Sequence, residues 1–345
     1  MDDYAGHCVV APCGDTIEVS SLMFDAVCIR CPRCGDVTTR AALLNALNSQ
    51  LLQRIGAAGH ESQELAKLEP RDQPWMEPMV ATAARHLNDY GLILCRGAFP
   101  TDCAEMVRRE AERALEAALS LPSEQASDTL TSVRDPINRH DVRLSATDAV
   151  LSLLETLIAE GTPVGACIEQ ALGLRACLCE CSCIISAPGA PAQAVHCDTA
   201  ASAPMEIEEP DATSGCVSTR LLTIFSALGD IGPDMGPTRM WPTTHTPRFH
   251  EEMSERGPLL FNGRESVAMT LRQGDCAVMD SRLWHCGGAN VSTAGRRRFL
   301  LVTTFGITGN LPEGSTYSML THLEGRYTLK SLREGGHGRR LEPGA

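Results

Sequence analysis

Residues 177–198 read CLCECSCIISAPGAPAQAVHCD. The stretch opens on a β-rich run, Cys177–Ser186, turns at Pro188-Gly189-Ala190-Pro191, and closes on His196-Cys197-Asp198. On a strand, residues i and i+2 point to the same face, so His196 and Asp198 converge on one point while Cys197 points away. Two ligands of a 2-His-1-carboxylate facial triad can be built this way. Such a triad leaves coordination positions open and suits non-haem iron(II). Alone, the H-x-D triplet is a weak signal, because a histidine in a strand is more often a hydrogen-bonded core residue than a ligand.

Outward from this stretch, short β-rich runs between Pro, Gly and Asp turns continue at Ser218–Leu228, Val267–Leu271, Cys276–Asp280 and Phe299–Phe305. Short strands at this spacing predict a sandwich or barrel. Upstream the texture is helical. Pro100-Thr101-Asp102 reads as a helix start leading to about Leu119, and Ala146–Ile158 and Val164–Leu172 read as two more helices. Between them Ser123–Arg143 reads as an irregular loop. A further helix, Arg40–Ile55, carries Leu43, Leu44, Leu47, Leu51 and Leu52 at 3–4 spacing and fades into a polar linker. The predicted organisation is a cysteine-rich extension over 1–38, a helix and linker over 39–73, a main domain over 74–312 with its β core at about 174–307, and a fraying tail over 313–345.

The run Asp280-Ser281-Arg282-Leu283-Trp284-His285-Cys286-Gly287-Gly288-Ala289-Asn290 sets His285 before a Gly-Gly turn, and Arg296-Arg297-Arg298 then opens the last apolar strand. A late strand carrying a histidine, beside one carrying an arginine, meets two needs. The metal needs one more neutral imidazole. A dicarboxylate that chelates the metal needs a guanidinium for its far carboxylate, because the planar fork matches carboxylate geometry. Arg296 and Arg298 share a strand face about 6–7 Å apart, so either can serve, and Arg297 points the other way.

In this order the pieces resemble the phytanoyl-CoA dioxygenase family, over roughly residues 80–307. Leu87-Asn88-Asp89-Tyr90-Gly91-Leu92-Ile93-Leu94 is similar to the family's opening of helix, D-G-type turn and strand. Pro188-Gly189 and His196-x-Asp198 follow. Asp234-Met235-Gly236-Pro237-Thr238-Arg239-Met240-Trp241-Pro242-Thr243-Thr244-His245 is similar to its N-G-P…P-G-S-H segment, with Thr243 where that turn usually has glycine. Gly274-Asp275, His285, Asn290 and Arg296 complete the set. The resemblance implies a mainly β fold with flanking helices: a double-stranded β-helix (jelly-roll, cupin-like) core preceded by helices. It implies iron(II) held by His196, Asp198 and His285. It also implies 2-oxoglutarate as cosubstrate, with its distal carboxylate on Arg296, since the family's arginine lies eleven residues after the distal histidine. Arg298 is the alternate. Related halogenases carry Gly or Ala at the carboxylate position, so Asp198 implies oxygenation. The implied activity is an iron(II)- and 2-oxoglutarate-dependent dioxygenase, an oxidoreductase that uses O2, releases succinate and CO2, and hydroxylates a small-molecule or lipid-like substrate. The competing reading is a jelly-roll binding or scaffold protein without turnover, with the N-terminal region as a module for a protein partner. The presence of three ligands and an arginine leans against it.

Other residues carry two readings each. His245 reads as a loop residue shaping the site mouth. Thr238 and Trp241 line the pocket or pack a core. Asn138–Arg143 is a surface loop, or a flap offering Arg143 or His140 to substrate. The acid-rich segment between Asp198 and Cys216 reads as a lid or substrate loop. Cys177, Cys179, Cys181 and Cys183 alternate onto one strand face. Their outer sulfurs would lie ~20 Å apart, too far for a four-sulfur site, so they read as small core residues. Near the start, Cys31-Pro32-Arg33-Cys34 resembles one knuckle of a zinc ribbon, with Cys8 and Cys13 as the candidate second pair and Cys28 spare. The alternative there is an extension without metal.

The bulk numbers set limits on partners. The chain has 345 residues, 43% of them hydrophobic, enough for a sizeable core. A formal net charge of −13 argues against general nucleic-acid binding, which needs a basic face. A small anionic ligand would need locally placed arginines. The sixteen cysteines would suggest disulfides in a short secreted chain. The start MDDYAGHCVV shows no basic segment followed by an apolar run, and no stretch approaches the ~18 apolar residues of a membrane span. The expectation is a cytoplasmic protein with reduced thiols.

Overall fold

Side chains along the apolar strands alternate between two cores. In β5 (Leu92–Cys95), Leu92 and Leu94 enter one core, and Ile93 and Cys95 the other. In β12 (Cys276–Asp280), Ala277 and Met279 go to the first, and Cys276 and Val278 to the second. This period of two is what an extended chain buried on both faces requires. Each fully buried aliphatic side chain contributes about 1.5–3 kcal/mol.

A computed structural model describes residues 73–131, 133, 136–199, 220–307, 311, 312, 315 and 317–335, together with 8–10, 16–18, 28–30 and 37–58 upstream. The upstream part holds two hairpins, β1 (Cys8–Val10) with β2 (Thr16–Glu18) and β3 (Cys28–Arg30) with β4 (Val37–Thr39), then helix α1 (Arg40–Ala58). There follow α2 (Val80–Tyr90), β5, α3 (Thr101–Leu119), α4 (Ser123–Ala126), β6 (Leu130–Thr131) and β7 (Arg139–Arg143). Helices α5 (Asp148–Ile158) and α6 (Pro163–Leu172) lead into β8 (Cys177–Ser186) and β9 (Leu222–Ala227). The rest comprises β10 (Thr238–Met240), α7 (Pro247–Arg256), β11 (Val267–Ala268), β12, β13 (His285–Gly287), β14 (Arg298–Gly306) and α8 (Leu329–Arg333).

Seven strands form one antiparallel sheet in the order β5-β12-β9-β14-β8-β7-β6, and three form a smaller one, β11-β10-β13. Helical side chains, Leu87, Val107, Leu154 and Ile168 among them, cover the outer face of the large sheet. Its inner face packs on the small sheet through Phe225, Leu300, Val302, Met240 and Met269. Two facing antiparallel sheets with helices outside make a jelly-roll core.

Several local expectations change. Arg139–Arg143 is a strand of the large sheet, not an irregular loop; its one apolar residue hides the pattern, and Arg139 is itself buried. The four cysteines of β8 do not share a face. A bulge opposite Thr304/Phe305 shifts the register at Cys179, so Cys181 and Cys183 enter the helical core while Cys179 and Glu180 both face inward. Residues 317–335 belong to the folded body: Leu329 N–H donates to Ala176 O, and Tyr327 and Leu332 are buried. Helix α1 also docks, with Leu52 O accepting from Val195 N–H and Gln53 Nε2 donating to Ala192 O. No single helix among the described residues is long and apolar enough to cross a membrane. The ten cysteines whose side chains are described are free thiols.

Candidate metal centre and cosubstrate pocket

His196 is joined to His285 by a single antiparallel bridge in which each N–H donates to the other's carbonyl, at 2.9 and 2.7 Å. Two residues on, Asp198 N–H donates to Ser281 O at 2.9 Å. One backbone ladder thus carries all three predicted ligands. His196 Nε2 and His285 Nε2 stand 3.8 and 3.7 Å from Asp198 Oδ1, and all the ligand atoms lie within 4.8 Å of one another. The ring nitrogens on the far side face backbone carbonyls, His196 Nδ1 to Ala194 O at 2.8 Å and His285 Nδ1 to Leu283 O at 2.9 Å. A carbonyl only accepts, so each Nδ1 carries the hydrogen and each Nε2 lone pair turns towards Asp198. Two neutral imidazoles and one carboxylate converging in this way fit one divalent ion with open positions left over.

The ladder is braced from behind. Asp280, at the end of β12, is fully buried and receives Arg220 Nε and Arg282 Nη2, each at 2.6 Å. Burial alone would raise its pKa; the two guanidiniums overcome that and hold the carboxyl well below the usual range. Arg220 also donates to Asn88 Oδ1, tying this cluster to α2. Gly91, at φ +79°, lies so close to His245 that a Cβ would meet Nδ1 at 2.5 Å, while His245 Nε2 bonds Asn88 O. His245 is therefore a buried strut between two motif segments, not a residue of the site mouth. Thr243 occupies the left-handed region at φ +69°, a conformation that suits glycine and strains a β-branched residue.

The triad opens into a cavity of about 280 Å³ lined also by Glu180, Thr238, Arg298 and Thr304. Arg298 is 2% exposed; its Nη1 donates to Gly236 O, its Nη2 to Ser186 Oγ at 3.2 Å, and its Nε has no partner. Burial first, and then the neighbouring Arg139 charge, lower its pKa to about 9. No carboxylate among the described residues pairs with it. Arg296 is placed elsewhere. Its Nη2 sits 2.8 Å from both oxygens of Asp234 on a half-exposed surface, and it does not line the cavity. The reason is local: β14 begins only at Arg298, and Arg296 O is held in the preceding turn by Asn290 Nδ2. The strand alternation does not reach back to Arg296.

Of the remaining predicted residues, Thr238 lines the cavity, and Trp241 packs with Phe249 and Phe261 in an aromatic cluster. Arg143 bonds the carbonyls of Ser127 and Asp128, and neither it nor His140 lines the cavity. Residues 200–216 of the acid-rich segment between Asp198 and Cys216, read as a lid or substrate loop, and the candidate zinc residues Cys13, Cys31 and Cys34 lie outside the described residues, as do the side chains of Cys8 and Cys28. Sequence reasoning missed Arg139, which donates to Pro191 O and Gly288 O, and Gln193, whose Oε1 accepts from Gly287 N–H. It also missed Glu180, which faces inward with Ile184 by strand alternation. None of the three sits in a motif.

A jelly-roll core with His196, Asp198 and His285 converging over an inner cavity is an arrangement that could hold a single metal ion. The chain belongs to the phytanoyl-CoA dioxygenase family, whose profile matches residues 87–299. A stretch of 113 residues, 33% of this chain, is 32% identical to the multifunctional dioxygenase prhA of Penicillium brasilianum and spans 36% of that protein. A second relative from the same organism, the multifunctional dioxygenase ausE, is 28% identical over 116 residues, 34% of this chain and 37% of its own. The chain thus matches about a third of the length of these curated relatives. Among solved structures, the non-haem α-ketoglutarate-dependent epimerase SnoN from nogalamycin biosynthesis superposes with a TM-score of 0.49 at 18% identity, covering 77% of this chain and 94% of that one. HygX from Streptomyces hygroscopicus, solved with nickel and 2-oxoglutarate, gives 0.45 at 15% identity over 68% and 94%.

Proposed function

We propose that the protein is an iron(II)- and 2-oxoglutarate-dependent dioxygenase acting on a small molecule, with His196, Asp198 and His285 as metal ligands and Arg298 as the cosubstrate anchor. The observation that carries this reading is Arg298, a buried guanidinium without a carboxylate partner, in the same cavity as three converging metal-ligand atoms. A buried cation of this kind is costly unless an anion completes it. The far carboxylate of 2-oxoglutarate supplies that anion, and Ser186 Oγ and Thr238 stand beside the position it would take. Bound iron(II) with 2-oxoglutarate supplies oxidative decarboxylation to succinate and CO2, coupled to oxidation of a substrate C–H bond by O2.

The chain's own residues do the rest. The carbonyls of Ala194 and Leu283 hold both imidazoles in the tautomer that presents Nε2. Phe225, with its ring 6.3 Å from that of His285, and Leu300 and Val302 make the cavity floor apolar, which keeps water from the reacting centre. Positioning the substrate and excluding stray oxidation are the protein's share of such chemistry.

The test is succinate release coupled to O2 uptake in purified protein given iron(II) and 2-oxoglutarate. Asp198→Ala and His285→Ala are expected to abolish it while leaving the cooperative unfolding transition in place. Wild-type activity in either variant would sink the ligand assignment. A wild type with no 2-oxoglutarate turnover under any substrate panel would favour the scaffold reading.

A further inference from the structure

The cavity has two unlike ends, and β14 measures the distance between them. Arg298 marks one end; Thr304, six residues further along the same face, marks the other, about 20 Å away at the strand rise. Phe225, close under His285, pairs with Val302, so the metal ligands stand between the two. At the Thr304 end, Glu180 reaches the wall by the same alternation that turns Ile184 inward, and the β8 bulge adds Cys179 beside it. Its Oε2 accepts from Thr304 Oγ1 at 2.5 Å, and Thr304 Oγ1 lies 3.0 Å from Thr223 Oγ1. Ser318, bridged to Glu180 through the backbone, closes this end.

Three features of this corner bear on what it recognises. Among the described lining residues Arg298 is the one lysine or arginine, so none of them sets a cationic side chain beside Glu180. An anionic group here would meet an acid and no counter-charge. A cationic group would need Glu180 ionised in a largely enclosed site, and such a pair repays its desolvation only with excellent geometry. Burial first, then the Asp141 carboxylate on β7 and, less strongly, Asp198 push the Glu180 pKa up to about 8 against the opposing Thr304 hydroxyl, which favours the protonated form in this corner. A protonated carboxyl is at once a donor and an acceptor.

We propose that Glu180 is the specificity-determining residue of this site and hydrogen-bonds a neutral oxygen function, a carbonyl or hydroxyl, of the substrate. The proposal rests on the oxygenase reading for the direction of the cavity. It selects an uncharged, oxygen-bearing substrate portion and disfavours a phosphate, carboxylate or ammonium at this end.

The test uses three probes built on one six-membered ring: cyclohexanone, cyclohexylammonium and cyclohexanecarboxylate. Each is presented to full-length protein loaded with zinc(II), a redox-silent occupant of the same donors, and 2-oxoglutarate; binding is read by saturation-transfer NMR. Cyclohexanone is expected to give the strongest signal in wild type, to keep it within about twofold in Glu180→Gln, and to lose about fivefold or more in Glu180→Ala, the scale of one hydrogen bond. Glutamine is the neutral isostere, so it separates hydrogen bonding from charge. Cyclohexylammonium binding best, with loss in both variants, would overturn the proposal in favour of a cation site. A cyclohexanone signal unchanged in Glu180→Ala would overturn it outright. Binding of 2-oxoglutarate is read in the same samples: its absence in wild type strikes at the oxygenase reading, while the ketone comparison decides Glu180 separately.

Discussion

Arg296 and Arg298 stand two positions apart, yet one is a surface ion-pair partner and the other a buried cation awaiting an anion. If 2-oxoglutarate binds as proposed, Arg298→Ala should weaken its apparent binding at least about a hundredfold, because breaking a buried pair costs about 3–5 kcal/mol and each decade is ~1.4 kcal/mol. Arg298→Lys keeps the charge without the fork and should fall between. Arg296→Ala, whose loss frees only Asp234 at the surface, should stay within about twofold. Titration of 2-oxoglutarate into the three variants, each with its melting curve, reads this directly; the opposite ranking would restore Arg296. The convergence of His196, Asp198 and His285 was legible as sequence because the ladder that carries them enforces their spacing. The choice between the arginines was not, since both lie in one basic run and only the start of β14 separates them.

At the scale of elements, strands with long apolar runs were legible: Cys177–Ser186 and Cys276–Asp280 keep the predicted bounds. The three-residue strands β10 and β13 carry no run of their own. They pair because Gly236 and Gly288 let the backbones approach, a Cβ at Gly236 meeting Gly288 O at 2.4 Å. The β8 bulge left no mark in composition, and so the inward turn of Cys179 was hidden. Asp280 shows how one element supports another: it ends β12, and the turn it anchors leads into His285. Asp280→Asn would leave Arg220 and Arg282 without their shared carboxylate, a buried imbalance expected to cost about 3–5 kcal/mol. Urea midpoints should fall accordingly, and metal content after dialysis should fall with them. An unchanged midpoint would show that the two guanidiniums find other partners.

For the whole molecule, the core does not stop where the apolar pattern fades. The last apolar strand ends at Gly306, but Met319, Leu323, Tyr327, Leu329 and Leu332 all enter the helical core, and Ser318, Tyr327 and Leu329 hydrogen-bond to β8 and its flank. Five side chains at about 1.5–3 kcal/mol each rival the 5–15 kcal/mol that holds a typical domain together. A chain stopped after Pro312 is therefore expected to lose its cooperative thermal transition, whereas the full chain keeps it. Circular dichroism melts compare the two, and a truncated chain melting like the full one would mean that the segment only decorates the surface. As sequence this region reads as a fraying tail because it ends in Gly- and Arg-rich residues, and its apolar residues lie scattered ahead of and within a short helix, Leu329–Arg333. Packing, and not periodicity, recruits them.

The bridge between His196 and His285 has one more consequence. The two histidines exchange both backbone hydrogen bonds with each other, so neither imidazole shifts along the chain without breaking the hydrogen bond made by the other's amide. Those two amides are a built-in reporter: in deuterated buffer they should exchange late, together and at one rate, as a single opening unit. Metal should slow that shared rate without splitting it. Separate rates for the two amides in the metal-free protein would mean that the clasp opens one side at a time, and that the ion, not the backbone, joins its halves.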